Sequence, residues 1–330
     1  MSEIQISVII TDHNRKDYII ECVKSVLEQE HISRDLYEII VVKNYKDEYI
    51  DKFLNDHKIK IIETVNEAIG EKFVLGAKNS SSDILCILND DDLFHPQKLY
   101  YVLNIFKQNK NLLYYHNSFI KIDKTGKSIH ENTDMKEIII NTNNIKEKLL
   151  KQALSGYNTF NDSCITIKKQ VIMEYEKELL DVKGNQDTIL FLLSLKLNGS
   201  LIMDNQKLTE FRLHDSSSNF RSAELDNNIK KFNGLIQRRL QSYMVILKVF
   251  EKNSLLYKYI KCMLMSNEMQ CNIFTNTKRS ILIRNLFSFI KCPFLTSFKT
   301  RIFLIIIILI KIINKKAVYK YVSKLIFYYY

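Results

Sequence analysis

The chain reads as an α/β protein with a mostly parallel sheet, followed by a C-terminal helical region. Three observations carry that reading. Short β-branched runs alternate with amphipathic helical stretches in the N-terminal part, as in βαβ units. One run, Ile84-Leu85-Cys86-Ile87-Leu88, enters Asn89-Asp90-Asp91-Asp92 directly, as a buried strand ending at a charged loop would. From about Ser222 the apolar spacing becomes helical and stays so to the end.

Residues 4–10 form the first β-branched run, and Thr11-Asp12-His13-Asn14 is the turn-rich loop after it. Between Asp17 and Gln29, Ile19, Val23, Val26 and Leu27 recur at helical spacing, which predicts an amphipathic helix. Strands are expected at 39–42 and 59–62, and a short helix at 72–79 before the strand that ends in the aspartates. Beyond them a helix is expected at 97–107, then strands at 112–116 and 119–122 with Lys124-Thr125-Gly126-Lys127 as a turn. Residues 130–155 start polar and unpatterned and then turn helical, and 164–167 is a short strand. Asp187 begins a helix over 188–197 that Asn198-Gly199 stops, and short strands follow at 201–203 and 208–213.

Bulk composition narrows the class. A chain of 330 residues with 46% hydrophobic and 26% charged residues suits one large domain plus an appendage, or two domains. Cys22, Cys86, Cys164, Cys262, Cys271 and Cys292 lack metal-ligand spacing and read as core thiols in a reducing compartment. No basic segment followed by an apolar one precedes the first strand, so no secretory signal is expected. The net charge of +11 is localised: residues 269–330 hold eleven Lys or Arg and no Asp or Glu. Such a tail suits an anionic surface. Its apolar run at 302–310 and its Phe327-Tyr328-Tyr329-Tyr330 ending argue against nucleic acid as the partner.

The triplet Asp90-Asp91-Asp92 is costly without a cation, because adjacent carboxylates repel. Mg²⁺ or Mn²⁺ relieves that cost, and typically completes its shell with substrate phosphates. In open α/β sheets ligands bind beyond the carboxyl ends of the strands, where the triplet falls. The alternative is a solvated loop capping the helix that begins near Pro96.

Several motifs in order resemble the family 2 glycosyltransferases of the GT-A fold over the first 220 or so residues. Val8-Ile9-Ile10-Thr11-Asp12-His13-Asn14-Arg15 is similar to the family's strand followed by Pro-Thr-Tyr-Asn-Arg. Gly76-Ala77-Lys78-Asn79 resembles its Ala-Arg-Asn segment, and Asn89-Asp90-Asp91-Asp92 its Asp-x-Asp-Asp form of the DxD motif. Gln186-Asp187 stands where the family has Glu-Asp. Phe211-Arg212-Leu213-His214 with Ser216-Ser217-Ser218 resembles its Tyr-Arg-x-His-x-x-Ser ending. There are two departures. Lys43-Asn44-Tyr45-Lys46 replaces Asp-Asp-Gly-Ser, whose acid reads the nucleotide base, and Asn89 takes the first DxD position.

The resemblance implies a Rossmann-like GT-A catalytic domain over 1–221, with a donor half at about 1–115 and an acceptor half at about 116–221. It implies an inverting, metal-dependent transfer of sugar from a nucleotide sugar to a glycan or lipid-linked acceptor hydroxyl. UDP-sugars are the expected donors, with GDP- and dTDP-sugars as alternatives. Asp187 would be the general base, unless it only caps its helix. Thr11, Asp12, Asn14, Arg15, Asn79, Asp90 and Arg212 would contact the donor, with turn chemistry as the alternative for Asn14. Mn²⁺ or Mg²⁺ would rest on Asp91 with Asp90 or Asp92, and on His214. Lys72 and Lys78 could reach the phosphates too, with ordinary solvated helix residues as the alternative.

Residues 222–330 are expected to be helical, with 280–330 lying on an anionic membrane surface at the cytoplasmic face. The apolar run at 302–310 is too short to span a bilayer, and Lys316, Lys320 and Lys324 share one helical stripe. A helical subdomain packed in the ordinary way is the alternative. Two rival classes remain, a catalytically inactive glycosyltransferase-like scaffold and a sugar nucleotidyltransferase. The second should carry a Gly-rich loop after its first strand, and residues 11–14 have no glycine.

Overall fold

A computed structural model describes residues 3–131, 133–214, 225–275, 277–290 and 298–314. Its β-branched N-terminal runs form β1 (Ile6–Thr11), β2 (Tyr37–Lys43), β3 (Lys60–Glu63) and β4 (Ile84–Asn89), joined through α1 (Ile19–Leu27), α2 (Glu48–Asp56) and α3 (Ile69–Lys78). All four strands run parallel, with β1 between β2 and β4 and Ile9 level with Ile40 and Ile87. Central strands of a parallel sheet are covered on both faces, so every residue of β1 is buried and its sequence is a continuous rather than an alternating apolar run.

The sheet continues through β5 (Leu93–Phe94), α4 (Lys98–Gln108), β6 (Leu112–Ile122), β7 (Ser128–Ile129), β8 (Ile138–Asn141) and α5 (Glu147–Ala153). Then come β9 (Ile165–Lys168), α6 (Lys169–Glu174), α7 (Glu176–Leu179), α8 (Gln186–Ser194) and β10 (Ser200–Arg212). The strand order is β3-β2-β1-β4-β9-β6-β10-β5, with β7 on β6 and β8 on β10. Antiparallel β9 joins β4 to β6, so a parallel half and a mixed half share one sheet.

Several expectations shift. The strands expected at 112–116 and 119–122 are one strand, because the side-chain donors of Asn117 and Ser118 find acceptors inside the fold. Asn117 Nδ2 donates to Thr209 Oγ1 at 3.0 Å and Ser118 Oγ to the Thr133 carbonyl at 2.8 Å. The strands expected at 201–203 and 208–213 are likewise one, β10, whose register to β6 shifts between Met203 and Lys207. Helix α2 was not anticipated. Asp47 caps it by accepting from the Tyr49 and Ile50 amides, and it buries only Ile50 and Leu54. Helix α3 starts earlier than expected and lies close on β1: a Cβ on Gly76 would stand 2.5 Å from Ile9 Cγ2.

Contacts divide the chain into two compact units, Met1–Val182 with Gln186–Leu213, and Lys183–Asn185 with His214–Tyr330. The second is built from α9 (Leu225–Leu247), α10 (Leu255–Phe274), α11 (Arg279–Ile290) and α12 (Phe298–Ile313). Phe232, Ile236, Met269, Phe289 and Ile307 lie in its apolar core. The 302–310 run lies within α12, which buries Leu304, Ile307 and Ile308 and exposes Ile302, Ile306, Leu309 and Ile313. Lys311 points inward, donating to the carbonyls of Asn272 and Thr275 at the end of α10, where a cation meets the helix dipole favourably. Among the described residues no helix is long and apolar enough to cross a membrane. Ser216-Ser217-Ser218 and the Lys316, Lys320 and Lys324 stripe lie outside the described residues. Cys22, Cys86, Cys164 and Cys271 are free thiols, whereas Cys262 is disulfide-bonded, which corrects the reading of all six cysteines as thiols.

Candidate active site

The carboxyl ends of β1 and β4 lie side by side where the strand order reverses, with β2 and β3 on one side of β1 and β4 on the other, the usual ligand crevice of such a sheet. Thr11 ends β1, and its hydroxyl donates to Asn89 Oδ1 at 3.3 Å across to the end of β4. Asp12 N donates to the Val42 carbonyl and Asp90 N to the Thr11 carbonyl, so both acidic segments are fixed by backbone bonds. Asn14 takes a left-handed φ of 54°, which Asn tolerates, and its N–H donates to Asn44 Oδ1 at 2.9 Å. That turn brings Arg15 back over the acidic loop, where Nε stands 3.3 Å from Asp90 Oδ2 and Nη1 pairs with Asp91.

Beneath Arg15 the site is buried and charged. Tyr45 donates its hydroxyl to Asp12 Oδ2, and the Lys72 ammonium donates to the Asp12 carbonyl and lies 3.4 Å from His13 Nδ1. Burial pushes the Asp12 carboxyl up, while Tyr45 and Lys72 pull it back. Burial and then Asp91 push Asp90 well up, against the pull of Arg15. Lys72 is buried rather than solvated, and desolvation lowers it to about 8. A signal for this exists: Ala68 and Gly76 flank Lys72 one turn to either side, and such small residues mark the helix face pressed against β1.

Two bonds connect Asp187 to this loop. It sits in the first turn of α8, where Oδ1 accepts from Thr188 N at 2.6 Å and Oδ2 from Asn161 N at 3.2 Å. Asn161 Nδ2 in turn donates to Asp92 Oδ2 at 2.9 Å. A single residue thus separates Asp187 from the aspartate triplet. Beside it, Gln186 Nε2 donates to Asp162 Oδ2 at 2.6 Å, and burial together with Asp187 pushes Asp162 well up.

Three expected site residues are placed differently. Asp92 was expected to hold the metal. Its Oδ2 already accepts from Asn161 and from Ser163 Oγ (2.6 Å), and its Oδ1 from Arg212 N (2.9 Å). Fully buried, with burial and Asp91 raising it to about 7, it anchors the loop from inside. Arg212 was expected on the diphosphate. Its side chain is fully buried, with Nε on the Asp91 carbonyl (2.9 Å), Nη1 on the Lys124 carbonyl (3.2 Å) and Nη2 on Glu21 (2.8 Å). Asn79 was expected at the donor. It follows α3 at the opposite, amino end of the parallel strands, where its carbonyl accepts from Lys60 at the start of β3. The motif containing it reflects close packing of α3 on β1 instead.

A divalent ion shared with a diphosphate needs one or two carboxylates from the protein. Asp90 and Asp91 fit. Asp90 Oδ2 is buried and accepts no hydrogen bond, Asp91 is partly exposed, and both already face a cation in Arg15. His214 is the first residue of the helical unit's main segment. Among the described residues no three His, Cys, Asp or Glu side chains are grouped to hold a metal.

Comparison with known proteins agrees with this architecture. The family model described as "Glycosyl transferase family 2" matches residues 7–175, about half of the chain. An uncharacterized glycosyltransferase of Rickettsia conorii is 32% identical over 133 residues, which is 39% of this chain and 21% of that protein. The match therefore spans about a fifth of that relative's length. One from Rickettsia typhi is 24% identical over 251 residues, 74% of this chain and 75% of that protein. Among solved structures, S. aureus TarS 1-349 in complex with UDP-GlcNAc aligns over 97% of this chain and 92% of its own, with 11% identity and a TM-score of 0.59. The same TarS fragment in complex with UDP gives 12% identity and a TM-score of 0.58. At such identity the likeness is one of fold.

Proposed function

The chain belongs to glycosyl transferase family 2, and from that membership we propose that it moves a sugar from a nucleotide sugar to an acceptor hydroxyl with inversion. One observation carries the proposal: Asp187 stands one residue away from the acidic loop at the mouth of the parallel strands. A base on one side of a donor cleft and a phosphate-facing acidic loop on the other are what a single displacement needs. Asp187 takes the proton of the acceptor hydroxyl as its oxygen attacks the anomeric carbon from the face opposite the leaving diphosphate. Arg15, poised on Asp90 and Asp91, contacts the phosphates. Asp90 and Asp91 are the residues that would hold Mn²⁺ or Mg²⁺, which when bound offsets charge on the leaving diphosphate.

The TarS complexes with UDP and UDP-GlcNAc support a UDP-sugar as donor. The acceptor in this proposal is a glycan or lipid-linked hydroxyl at an anionic membrane surface. Two outward apolar stripes support that location: Ile283, Phe287 and Ile290 on α11, and Ile302, Ile306, Leu309 and Ile313 on α12. Both lie in a segment with no acidic residue. The cytoplasmic face is supported by the four free thiols among the described residues and opposed by the disulfide at Cys262.

A second reading, an inactive scaffold, is favoured by Arg15 already neutralising Asp90 and Asp91, and by Lys43 at the base-reading position being buried against Asp51 at 2.9 Å. Screening UDP-, GDP- and dTDP-sugars for Mn²⁺-dependent thermal stabilisation, followed by assay of sugar release, separates the two. The enzyme is stabilised by one donor class and releases its sugar. The scaffold releases none.

A further inference from the structure

Residues 157–164 showed no functional signal in the sequence beyond a short strand starting at Cys164, yet Asn161 in this stretch touches both sides of the site. Its main-chain N–H donates to Asp187 Oδ2 at 3.2 Å and its Nδ2 to Asp92 Oδ2 at 2.9 Å. Its Oδ1 accepts from Ser163 N at 3.0 Å and from Asn89 Nδ2 at 3.4 Å. The backbone here is left-handed, with φ of 75°, in a residue that is buried. Such a φ is costly for most side chains and tolerable for Asn when local hydrogen bonds hold it. Relaxing φ to an ordinary value would rotate the preceding peptide and carry the N–H away from Asp187. Ser163 braces the same turn: its Oγ donates to Asp92 Oδ2 at 2.6 Å, and its carbonyl accepts from Lys98 and from Thr209 Oγ1.

We propose that Asn161 is a positioning residue that keeps Asp187 in register with the acidic loop, its side chain fixing the turn whose N–H binds the carboxylate. The functional consequence rests on Asp187 being the base. Two effects follow. An N–H donated to a carboxylate favours its ionised form. A base displaced by about 1 Å loses on the order of a hundredfold in rate.

The test uses the full chain labelled with ¹³C at Asp Cγ, with Asp187→Asn assigning the Asp187 signal. In Asn161→Ala the Asp187 titration midpoint should rise by about one unit. In Asn161→Gly, which accepts the left-handed φ without the side-chain bonds, it should return part of the way. With UDP-GlcNAc and Mn²⁺ as probe, kcat for UDP release should fall ~10- to 100-fold in Asn161→Ala with donor KM within about threefold, and less in Asn161→Gly. Unchanged midpoint and kcat in a folded Asn161→Ala protein would overturn the proposal. If that variant does not fold, Asn161→Gly matching wild type in both readouts would overturn it equally. Full turnover in Asp187→Asn would instead remove the base assignment, and the titration would still decide the positioning contact.

Discussion

In the sheet unit Asp12, Asp90, Asp92, Asp162, Lys72, Lys98 and Arg212 are all buried, whereas in the described part of the helical unit the buried charge is Lys311. The helical unit shows the converse, turning Phe287, Ile306 and Ile313 outward. Burying charge costs stability unless partners repay it, and exposing apolar surface costs it unless something covers that surface. Each unit thus carries its cost where a ligand is proposed to bind. In the sheet unit the cost falls around the crevice at the ends of β1 and β4, and in the helical unit on two outward stripes.

That contrast can be broken at several points. The largest stability effect is expected from Arg212→Met, which leaves the Asp91, Asp123 and Lys124 carbonyls without their donor and Glu21 without its partner. Glu21, half exposed, is rehydrated, whereas a buried carbonyl left without its donor costs about 1–3 kcal/mol. Urea unfolding measures it, and a loss under about 1 kcal/mol would mean the network is not the keystone it looks. Next comes Gly70→Ala, whose Cβ would stand 1.9 Å from the Leu179 carbonyl oxygen, a backbone atom that cannot step aside. We expect a cost of about 1–3 kcal/mol, from overpacking. Gly76→Ala should cost less, because the Ile9 side chain it meets at 2.5 Å can move.

In the helical unit, Phe287→Ser with Ile306→Ser removes exposed side chains, so stability should change by less than about 0.5 kcal/mol. Binding to anionic phosphatidylserine vesicles should nonetheless drop at least about tenfold, given roughly 25 cal/mol for each Å² of apolar surface no longer buried. Unchanged vesicle binding would retire the membrane proposal. A test of a different kind, by pH, concerns Lys98, which burial lowers to about 8. A base whose folded pKa lies below its unfolded value costs stability at low pH and regains it as pH rises through that interval. Wild type should therefore gain on Lys98→Met between pH 8 and about 10.5, and a constant difference across that range would contradict it.

The legible part of the molecule was the part governed by local pattern. β1, β2 and β4 announce themselves because central parallel strands are unbroken apolar runs. Helix α2 is faint in the sequence because it buries only Ile50 and Leu54, and β6 reads as two strands because Asn117 and Ser118 find partners only in the folded state. At the site, motif order brought forward Arg15, Asp90, Asp91 and Asp187, which the fold gathers around one crevice. Motif order also misplaced Asn79, whose neighbours Gly76 and Ala77 are there to let α3 lie against β1. The inward roles of Asp92 and Arg212, the burial of Lys72 and the bridge through Asn161 depend on contacts across tens of residues. Of these, only the burial of Lys72 has a local signal, in the small residues Ala68 and Gly76 one turn to either side.

The most direct measurement compares UDP release from UDP-GlcNAc by wild type and by Asp187→Asn, with donor binding followed in the same samples. The account predicts that donor affinity survives the substitution within a few-fold while turnover falls ~10³-fold. Turnover that persists in Asp187→Asn, with binding intact, would show that the proton leaves by another route and would contradict the account at its centre.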